Sequence, residues 1–313
     1  MSRVMSTGTR VAAIDCGTNS IRLLVADATA TGLRDVARRM QIVRLGEGVD
    51  ATGAFTAAAI ERTRRVLAAY AAEVAESGAE RVRMVATSAS RDVSNRADFA
   101  AMVRATVHLD AEVISGEEEA RLSFAGATRD LPGFAAPWLV LDIGGGSTEF
   151  VLGHHAVLGA ASINIGCVRL TERHLRGDPP AAGEIAAALA DIRAGIALAA
   201  ESAPLGQAKT LIGLAGSVTT VAALAMGLPA YDSERIHHSR IGYDQVDAVT
   251  TMLLAATRDE RARLPMMHPG RVDVIGAGAL ILRTVMEEAQ LDSVVASEHD
   301  ILDGIAYSLT EGF

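Results

Sequence analysis

Short apolar segments alternate with longer amphipathic ones along the chain, and this alternation predicts the secondary structure. Arg10 to Ala26 has the pattern of a β-hairpin, two apolar strands around a tight polar turn. Alanine-rich helical patterns follow at Thr56 to Gly78 and at Arg96 to Val107, and a strand-like segment from Val82 to Thr87 separates them. Alternating strands and helices predict an α/β layered fold.

The same pattern occurs a second time. Leu139 to Gly153 is again an apolar strand, an aspartate, a Gly/Ser/Thr turn and an apolar strand. A strand around Ser162 to Ile165, a helix from about Gly183 to Ala200 and a strand from Lys209 to Leu214 follow it. Both turns contain Asp-x-Gly, in DCGTNS and DIGGGSTE, which favours a duplicated unit over two unrelated hairpins.

Length and composition restrict the class of protein. The 313 residues exceed the usual size of one domain, so two domains with a cleft between them are expected. No apolar run reaches the roughly 20 residues that cross a bilayer, and the segment before Asp15 lacks the long apolar core of a secretory signal. We therefore expect a soluble, cytoplasmic protein without a membrane partner.

The net charge and the two cysteines exclude further classes. A net charge of -9 and an aromatic content of 4% disfavour a nucleic-acid partner, which would require a basic surface or stacking platforms. Cys16 and Cys167 lack the spacing of metal ligands, and two cysteines in a chain of this length provide no disulfide framework. We interpret both as reduced structural thiols.

Both turns carry groups that bind phosphate. Glycines let the backbone approach a ligand closely, while hydroxyl, amide and guanidinium groups donate hydrogen bonds to phosphate oxygens. One such turn is a weak signal, whereas two matched copies indicate a phosphate site. The candidate residues are Gly17, Thr18, Asn19, Ser20 and Arg22 in the first turn and Gly144, Gly145, Gly146, Ser147 and Thr148 in the second.

Carboxylates near these turns suggest a metal ion and a base. Asp15 and Asp142 would repel phosphate unless Mg²⁺ lay between them, although each could instead cap its own turn. Glu117, Glu118 and Glu119 begin a predicted helix, where acids also stabilise the helix dipole. One of the three could activate water, but the pattern alone does not select it.

Other polar segments have two interpretations each. Arg91 in ATSASRD could meet an anion or lie on the surface, and the turn LAGSVTT, from Leu214 to Thr220, could bind a nucleotide or cap a helix. His237 and His238, like His268 beside Arg271, lack the spacing of a metal motif and are expected to be structural or exposed.

Ordered motifs along nearly the whole chain resemble the exopolyphosphatase and guanosine pentaphosphate phosphohydrolase family, in its short actinobacterial type. This family lies within the superfamily of actin, sugar kinases and heat-shock ATPases. The motifs are DCGTNSIRLL, ATSASRD, ISGEEEARLSF, LDIGGGSTE, IGCVRLTE, GLAGSVTT and HPGRVDVIGAGALIL.

The resemblance implies an α/β fold of two actin-like lobes with the substrate in the cleft. The first lobe would comprise residues 1–125 and a C-terminal helix at 297–313, and the second residues 126–296. It implies that Glu119 is the catalytic base, that Glu149, the glutamate that ends the second phosphate loop, is a second catalytic residue, and that Asp142 is associated with magnesium. Arg22, Arg91 and Arg271 match positions near bound phosphates.

Two positions depart from the family pattern. Leu302 stands where many relatives have an arginine, so one anionic contact is expected to be missing. Glu117 adds an acid that would disfavour long polyanions near the entrance.

The expected activity is metal-assisted release of orthophosphate from inorganic polyphosphate, with Mg²⁺ or Mn²⁺. Guanosine pentaphosphate, hydrolysed to the tetraphosphate, is the alternative substrate, and the residues do not rank the two. A sugar or acetate kinase and a non-catalytic alarmone-binding regulator are the rival classes. Family analogy also suggests a homodimer.

Overall fold

A computed structural model describes residues 9–29 and 31–310, and these contain two mixed β-sheets. The first sheet comprises β1 (Arg10–Cys16), β2 (Ser20–Thr29), β3 (Gly32–Ile42), β4 (Arg81–Ala86) and β5 (Glu112–Val113). The second comprises β6 (Trp138–Ile143), β7 (Thr148–Gly153), β8 (Val157–Ile163), β9 (Thr210–Leu214), β10 (Arg240–Gly242) and β11 (Ser293–Ala296).

Helices cover both sheets. They are α1 (Val49–Thr52), α2 (Ala57–Ser77), α3 (Ser88–Arg91), α4 (Arg96–Val107), α5 (Gly116–Thr128), α6 (Cys167–Arg173), α7 (Ala182–Ala200), α8 (Ala215–Ala225), α9 (Ser233–Ile236), α10 (Tyr243–Ala255), α11 (Arg258–Ala262), α12 (Ile275–Ala289) and α13 (Ile301–Ser308). Among the described residues, no helix is long and apolar enough to cross a membrane.

The two sheets share one arrangement, as the sequence repeat predicts. The first has the strand order β3-β2-β1-β4-β5, in which β1 pairs antiparallel with β2 and parallel with β4. The second has the order β10-β11-β9-β6-β7-β8, in which β6 pairs antiparallel with β7 and parallel with β9. Both predicted hairpins therefore stand at the centre of a sheet, with their turns at corresponding edges.

Local signals in the sequence set several element boundaries. The Thr56 side chain accepts a 3.1 Å hydrogen bond from the Ala59 amide at the start of α2, and Gly78 ends that helix in the left-handed conformation, with φ of 71°. The predicted helix from Thr56 to Gly78 is confirmed, because both of its limits are capping residues.

Three local predictions were incomplete or wrong. The strand expected around Ser162 to Ile165 is β8, which starts at Val157 and ends at Ile163. The segment AGSVTT is not a turn but the beginning of α8. The sequence did not indicate β3, because both faces of this edge strand are largely exposed and its apolar residues therefore do not alternate.

Helices α5 and α13 cross in close contact between the two sheets. Ala120 and Phe124 of α5 pack on the second sheet, whereas Ile301 and Ile305 of α13 pack on the first. A Cβ atom at Gly304 would overlap the Leu122 carbonyl, so the backbones touch there. This crossing brings Glu119 of α5 and the start of α13 towards the same cleft.

The expected lobe limits do not coincide with the ends of α5 and α13. Position 125 lies inside α5, and α13 begins at Ile301. The outermost parts of the expected first lobe, residues 1–8 and 311–313, lie outside the described residues, as does most of the segment interpreted as lacking a secretory signal. Cys16 and Cys167 are free and buried, as expected.

Candidate active site

A cavity of about 100 Å³ lies where the turns of the two hairpins face each other. Most residues predicted for the phosphate site line it, and residues from several other segments, among them Ser88, Cys167 and Gly216, complete the wall. The predicted residues that line it are Asp15, Gly17, Thr18, Asn19, Ser20, Arg22, Glu119, Asp142, Gly144, Gly145, Gly146, Ser147 and Arg271.

The two turns are built alike and touch each other. The Gly17 amide donates to the Ser20 carbonyl and the Gly144 amide to the Ser147 carbonyl, each at 3.0 Å. A Cβ atom at Gly145 would lie 2.9 Å from the Cβ of Thr18, closer than such atoms pack. Glycine at position 145 therefore allows the second turn to close against the first.

Only one of the three candidate glutamates in α5 faces the cavity. Glu117 is exposed, and Glu118 pairs with Arg121 and Arg83. Glu119 is 8% exposed, and its Oε2 accepts a 2.6 Å hydrogen bond from Arg91 Nη1. The Ser115 hydroxyl accepts from the Glu118 amide and caps the helix, which fixes the direction of its first turn.

Burial gives Glu119 the protonation behaviour of a base. Loss of hydration raises the pKa of Glu119 to about 7, while Arg91 lowers it and the neighbouring Asp142 and Asp15 raise it further. A carboxylate with a pKa near neutrality accepts a proton more readily than an exposed one and is still substantially ionised at neutral pH.

Arg91 lies behind Glu119 and is not among the residues that line the cavity. Its Nη1 also donates to the Ile114 carbonyl at 3.2 Å. Arg91, which was expected to meet a bound anion, therefore binds the Glu119 carboxylate in this structure.

Arg22 is surrounded by two carboxylates. It donates to Asp15 Oδ2 at 2.7 Å and also bonds to Asp300, the residue that caps α13. Sequence reasoning missed Asp300, since it lies 278 positions from Arg22. The signal available was the pair Asp300 and Asp303, whose spacing marks a helix start but not a partner for an arginine.

The second turn is backed by further buried acids. Asp142 accepts a 2.8 Å hydrogen bond from Ser123, and burial, reinforced by Asp300, raises the pKa of Asp142 to about 6. Ser123 was also missed, although it lies four residues after Glu119 and hence on the same side of α5.

Glu149 and Thr148 are placed differently from the rest of the second loop. Both are absent from the cavity lining. Ser147 and Ser162 each donate to Glu149 Oε1 at 2.7 Å, and burial, together with nearby Glu119, raises the pKa of Glu149 well above its usual range. The Thr148 hydroxyl donates to the Ile165 carbonyl at 2.6 Å and so supports the loop from behind.

The residues present fit a divalent cation. Asp15 Oδ1 is buried and has no hydrogen-bond partner among the described residues, a costly state for a carboxylate oxygen. Burial also raises the pKa of Asp15, although Arg22 opposes this effect. A cation beside Asp15 and Asp142 would satisfy the free oxygen and offset the crowding of negative charge.

A larger cavity of about 430 Å³ adjoins the first and shares Arg22, Gly216 and Arg271 with it. Arg271 lies against Gly216, where any side chain would overlap its guanidinium group. Ala215 lines both cavities with φ of 64°, a conformation that costs energy for any residue with a side chain. His268 and Leu302 also line this second cavity.

His237 and His299 lie around Asp130, away from the cavity. His299 Nδ1 lies 2.9 Å and His237 Nε2 3.5 Å from the same oxygen of Asp130. His237 Nδ1 accepts a hydrogen bond from the Glu298 amide, which places the proton of the neutral ring on Nε2, facing Asp130. This tautomer leaves no lone pair for a metal at that nitrogen, an arrangement compatible with the structural role expected for His237.

A cleft that gathers two matched glycine-rich turns around buried acids defines a mixed α/β protein with two sheets of one arrangement and a candidate active site between them. Family comparison gives a narrower assignment, because residues 24–313 match the Ppx/GppA phosphatase family. The chain belongs to that family.

Individual relatives agree with this assignment. Exopolyphosphatase 2 of Mycobacterium tuberculosis is 52% identical over 314 residues, which cover 96% of this chain and 98% of the relative. A guanosine-5'-triphosphate,3'-diphosphate pyrophosphatase of Aeromonas salmonicida is 27% identical, with 95% of this chain and 59% of that protein covered. A solved exopolyphosphatase-like protein is 42% identical, with a TM-score of 0.94 and coverage of 96% and 97%. The expected family and fold class are confirmed.

Proposed function

We propose that the protein is an exopolyphosphatase that releases terminal orthophosphate from inorganic polyphosphate. The observation that carries this proposal is the position of Glu119, a buried carboxylate of near-neutral pKa at the wall of a cavity formed by two phosphate-type turns. The 52% identical exopolyphosphatase 2 supports the same activity.

In the proposed reaction the two turns hold the terminal phosphates and Glu119 acts on water. Backbone amides and the side chains of Thr18, Asn19 and Ser147 donate to the phosphate oxygens. The water oxygen bonds to the terminal phosphorus as its proton passes to Glu119, and the bond from that phosphorus to the bridging oxygen breaks. The products are orthophosphate and a chain shorter by one phosphate.

Other residues act through these groups. Arg91 orients Glu119 and limits the rise of its pKa, while Glu149 and Thr148 hold the second turn from behind. Arg271 reaches the cavity from the second sheet and meets the phosphate chain there. Asp15 and Asp142 would hold Mg²⁺ or Mn²⁺, which would neutralise negative charge on the phosphates.

Guanosine pentaphosphate is the second candidate substrate, and the larger cavity favours it. This cavity opens from the phosphate site and combines the arginines Arg22, Arg38 and Arg39 with apolar side chains such as Met40 and Met266. A nucleoside attached to the terminal phosphates would fit such a lining. Leu302, in the same wall, provides apolar surface where an arginine would bind another phosphate.

Release of orthophosphate by the purified protein tests the proposal. Short polyphosphate, long polyphosphate and guanosine pentaphosphate are compared at equal concentration of terminal phosphate, with Mg²⁺, Mn²⁺ or EDTA. The proposal expects metal-dependent release with a higher kcat/KM on polyphosphate. Higher kcat/KM on guanosine pentaphosphate would favour the second candidate, and release from neither would contradict both.

We also propose the division into a first lobe of residues 1–125 and 297–313 and a second of 126–296. Membership of the two sheets supports it, as does the packing of α13 on the first sheet. A homodimer remains part of this proposal by family analogy, and sedimentation at micromolar concentration tests it.

A further inference from the structure

Helix α6 engages the carbonyl groups of the second phosphate turn. The amides of Cys167 and Val168 donate to the carbonyls of Gly144 and Gly145 at 3.0 and 2.9 Å. The third carbonyl, that of Gly146, accepts a 2.8 Å hydrogen bond from Arg169 Nε. All three carbonyl oxygens are therefore held on the side of α6, away from the phosphate cavity.

The same arginine reaches across the cleft to the first sheet's side. Arg169 Nη1 pairs with Asp50 at 2.5 Å, and Nη2 pairs with Asp92 at 2.7 Å. Its side chain is only 11% exposed, so solvent screens these pairs less than ordinary surface pairs. Each nitrogen of the guanidinium group thus has its own partner, one on the turn and two across the cleft.

A second contact closes the same side of the cleft. The Gly48 amide, next to α1, donates to Glu172 Oε1 of α6 at 3.0 Å. Burial alone would raise the pKa of Asp50, but hydrogen bonds from Arg173 and Arg169 lower this pKa below its usual value. Asp50 is consequently ionised throughout the neutral range and available to Arg169.

We propose that Arg169 is a positioning residue that couples closure of the cleft to the orientation of the second phosphate turn. When the cleft closes, Asp50 and Asp92 fix the guanidinium plane, and its Nε then holds the Gly146 carbonyl away from the phosphate oxygens. Lysine cannot replace Arg169 in this role, because the three donors of an ammonium group are not held in a fixed planar fork. The catalytic part of this inference rests on the proposed function, whereas closure does not.

The buried thiols provide a measure of closure that is independent of activity. Cys167 is 5% exposed at the border of the second sheet's core and lines the cavity between the two turns, so we expect opening of the cleft to expose it. Cys16 is 1% exposed within the core of the first sheet and becomes accessible only when that core unfolds. Labelling with a small thiol reagent, mapped by mass spectrometry, distinguishes opening from unfolding.

The test compares Arg169→Gln, Arg169→Lys and the double variant Asp50→Asn/Asp92→Asn with the unmodified protein. Arg176→Gln is the matched control, because Arg176 is exposed just after the same helix and its Nε donates to the Glu172 carbonyl of that helix, on the same side of the cleft. Orthophosphate release gives kcat and KM, and the labelling rates of Cys167 and Cys16 are measured without substrate.

We expect Arg169→Gln and the double variant to label Cys167 at least about tenfold faster and to lower kcat by about 10- to 100-fold, with a smaller change in KM. Arg169→Lys keeps a charge pair across the cleft, so its Cys167 is labelled slowly. Its kcat nevertheless stays below that of the unmodified protein. Arg176→Gln stays within about twofold of the unmodified protein in each measurement.

The proposal is overturned if Arg169→Gln retains the original kcat, or if neither it nor the double variant speeds the labelling of Cys167. Fast labelling of Cys16 in Arg169→Gln would mean that this variant unfolds. The labelling rate of Cys167 in the double variant then decides whether the pairs across the cleft hold it closed. If the unmodified protein releases no orthophosphate from either substrate, the proposed function fails, while the labelling rates still decide whether Arg169 closes the cleft.

Discussion

Arg91 donates a 2.6 Å hydrogen bond to Glu119, joining the end of α3 to the first turn of α5 at the wall of the phosphate cavity. Burial raises the pKa of Glu119, and Arg91 is the largest opposing influence on it. The pair therefore sets both the direction of the carboxylate and the pH range in which it can accept a proton.

Replacing Arg91 should move the pH profile. In Arg91→Gln the pKa of Glu119 rises above about 7, because the opposing charge is lost while burial remains. Since the base acts when deprotonated, the acid limb of kcat/KM moves to higher pH: activity at pH 7 falls and partly recovers near pH 9. Arg104→Gln, at an exposed pair with Asp110, is the control. An unchanged acid limb would contradict this role of Arg91.

Neutralising Asp142 should stabilise the metal-free protein. Its folded-state pKa of about 6 exceeds that of an unfolded aspartate, so the stability it contributes is present below about pH 4 and is lost as the pH rises through 6. In EDTA, Asp142→Asn should therefore be more stable at pH 8 by on the order of 2 to 3 kcal/mol, and about equal at pH 4.

Magnesium should reverse this order. Added Mg²⁺ is expected to raise the free energy of unfolding of the unmodified protein at pH 8 and to change that of Asp142→Asn little, since the variant lacks a charged ligand. Urea unfolding with and without Mg²⁺ measures both effects. The proposed role of Asp142 would be refuted if metal-free Asp142→Asn were less stable than the unmodified protein at pH 8. It would also be refuted if Mg²⁺ raised the free energy of unfolding of both proteins equally.

The crossing of α5 and α13 makes a prediction about folding. Gly304→Ala places a methyl group on the Leu122 carbonyl, and we expect it to lower the free energy of unfolding by about 2 kcal/mol or more. Gly183→Ala, in α7, is the matched control, because a Cβ atom there meets nothing within 4 Å. It should be neutral or stabilising by up to about 1 kcal/mol. Equal effects of the two substitutions in denaturant unfolding would show that the crossing tolerates a side chain.

The sequence predicted the parts of the fold that local patterns determine. The two hairpins, α2 and α4 were recognisable because their apolar residues follow a regular period, and capping residues mark both ends of α2. Strand β3 escaped notice because it lies at a sheet edge with exposed residues on both faces. Its identification would have required knowledge of its partner β2.

The candidate site was predictable to the extent that its residues lie in the turns. Asp300, Ser123 and Arg169 were not assigned, because their partners lie in distant segments that only the folded chain brings together. Glu119 could not be separated from Glu117 and Glu118 by residue pattern. Their exposure in the structure distinguishes them, since Glu119 alone of the three is buried at the cavity.

In the proposed reaction Glu119 activates water in a phosphate site. The most direct test is the single-turnover rate of orthophosphate release from polyphosphate at saturating Mg²⁺, for the unmodified protein, Glu119→Gln and the exposed neighbour Glu117→Gln. We expect a fall of about 10²- to 10⁴-fold for Glu119→Gln with substrate affinity nearly retained, and no significant change for Glu117→Gln. A Glu119→Gln protein that releases orthophosphate at the original rate would contradict it.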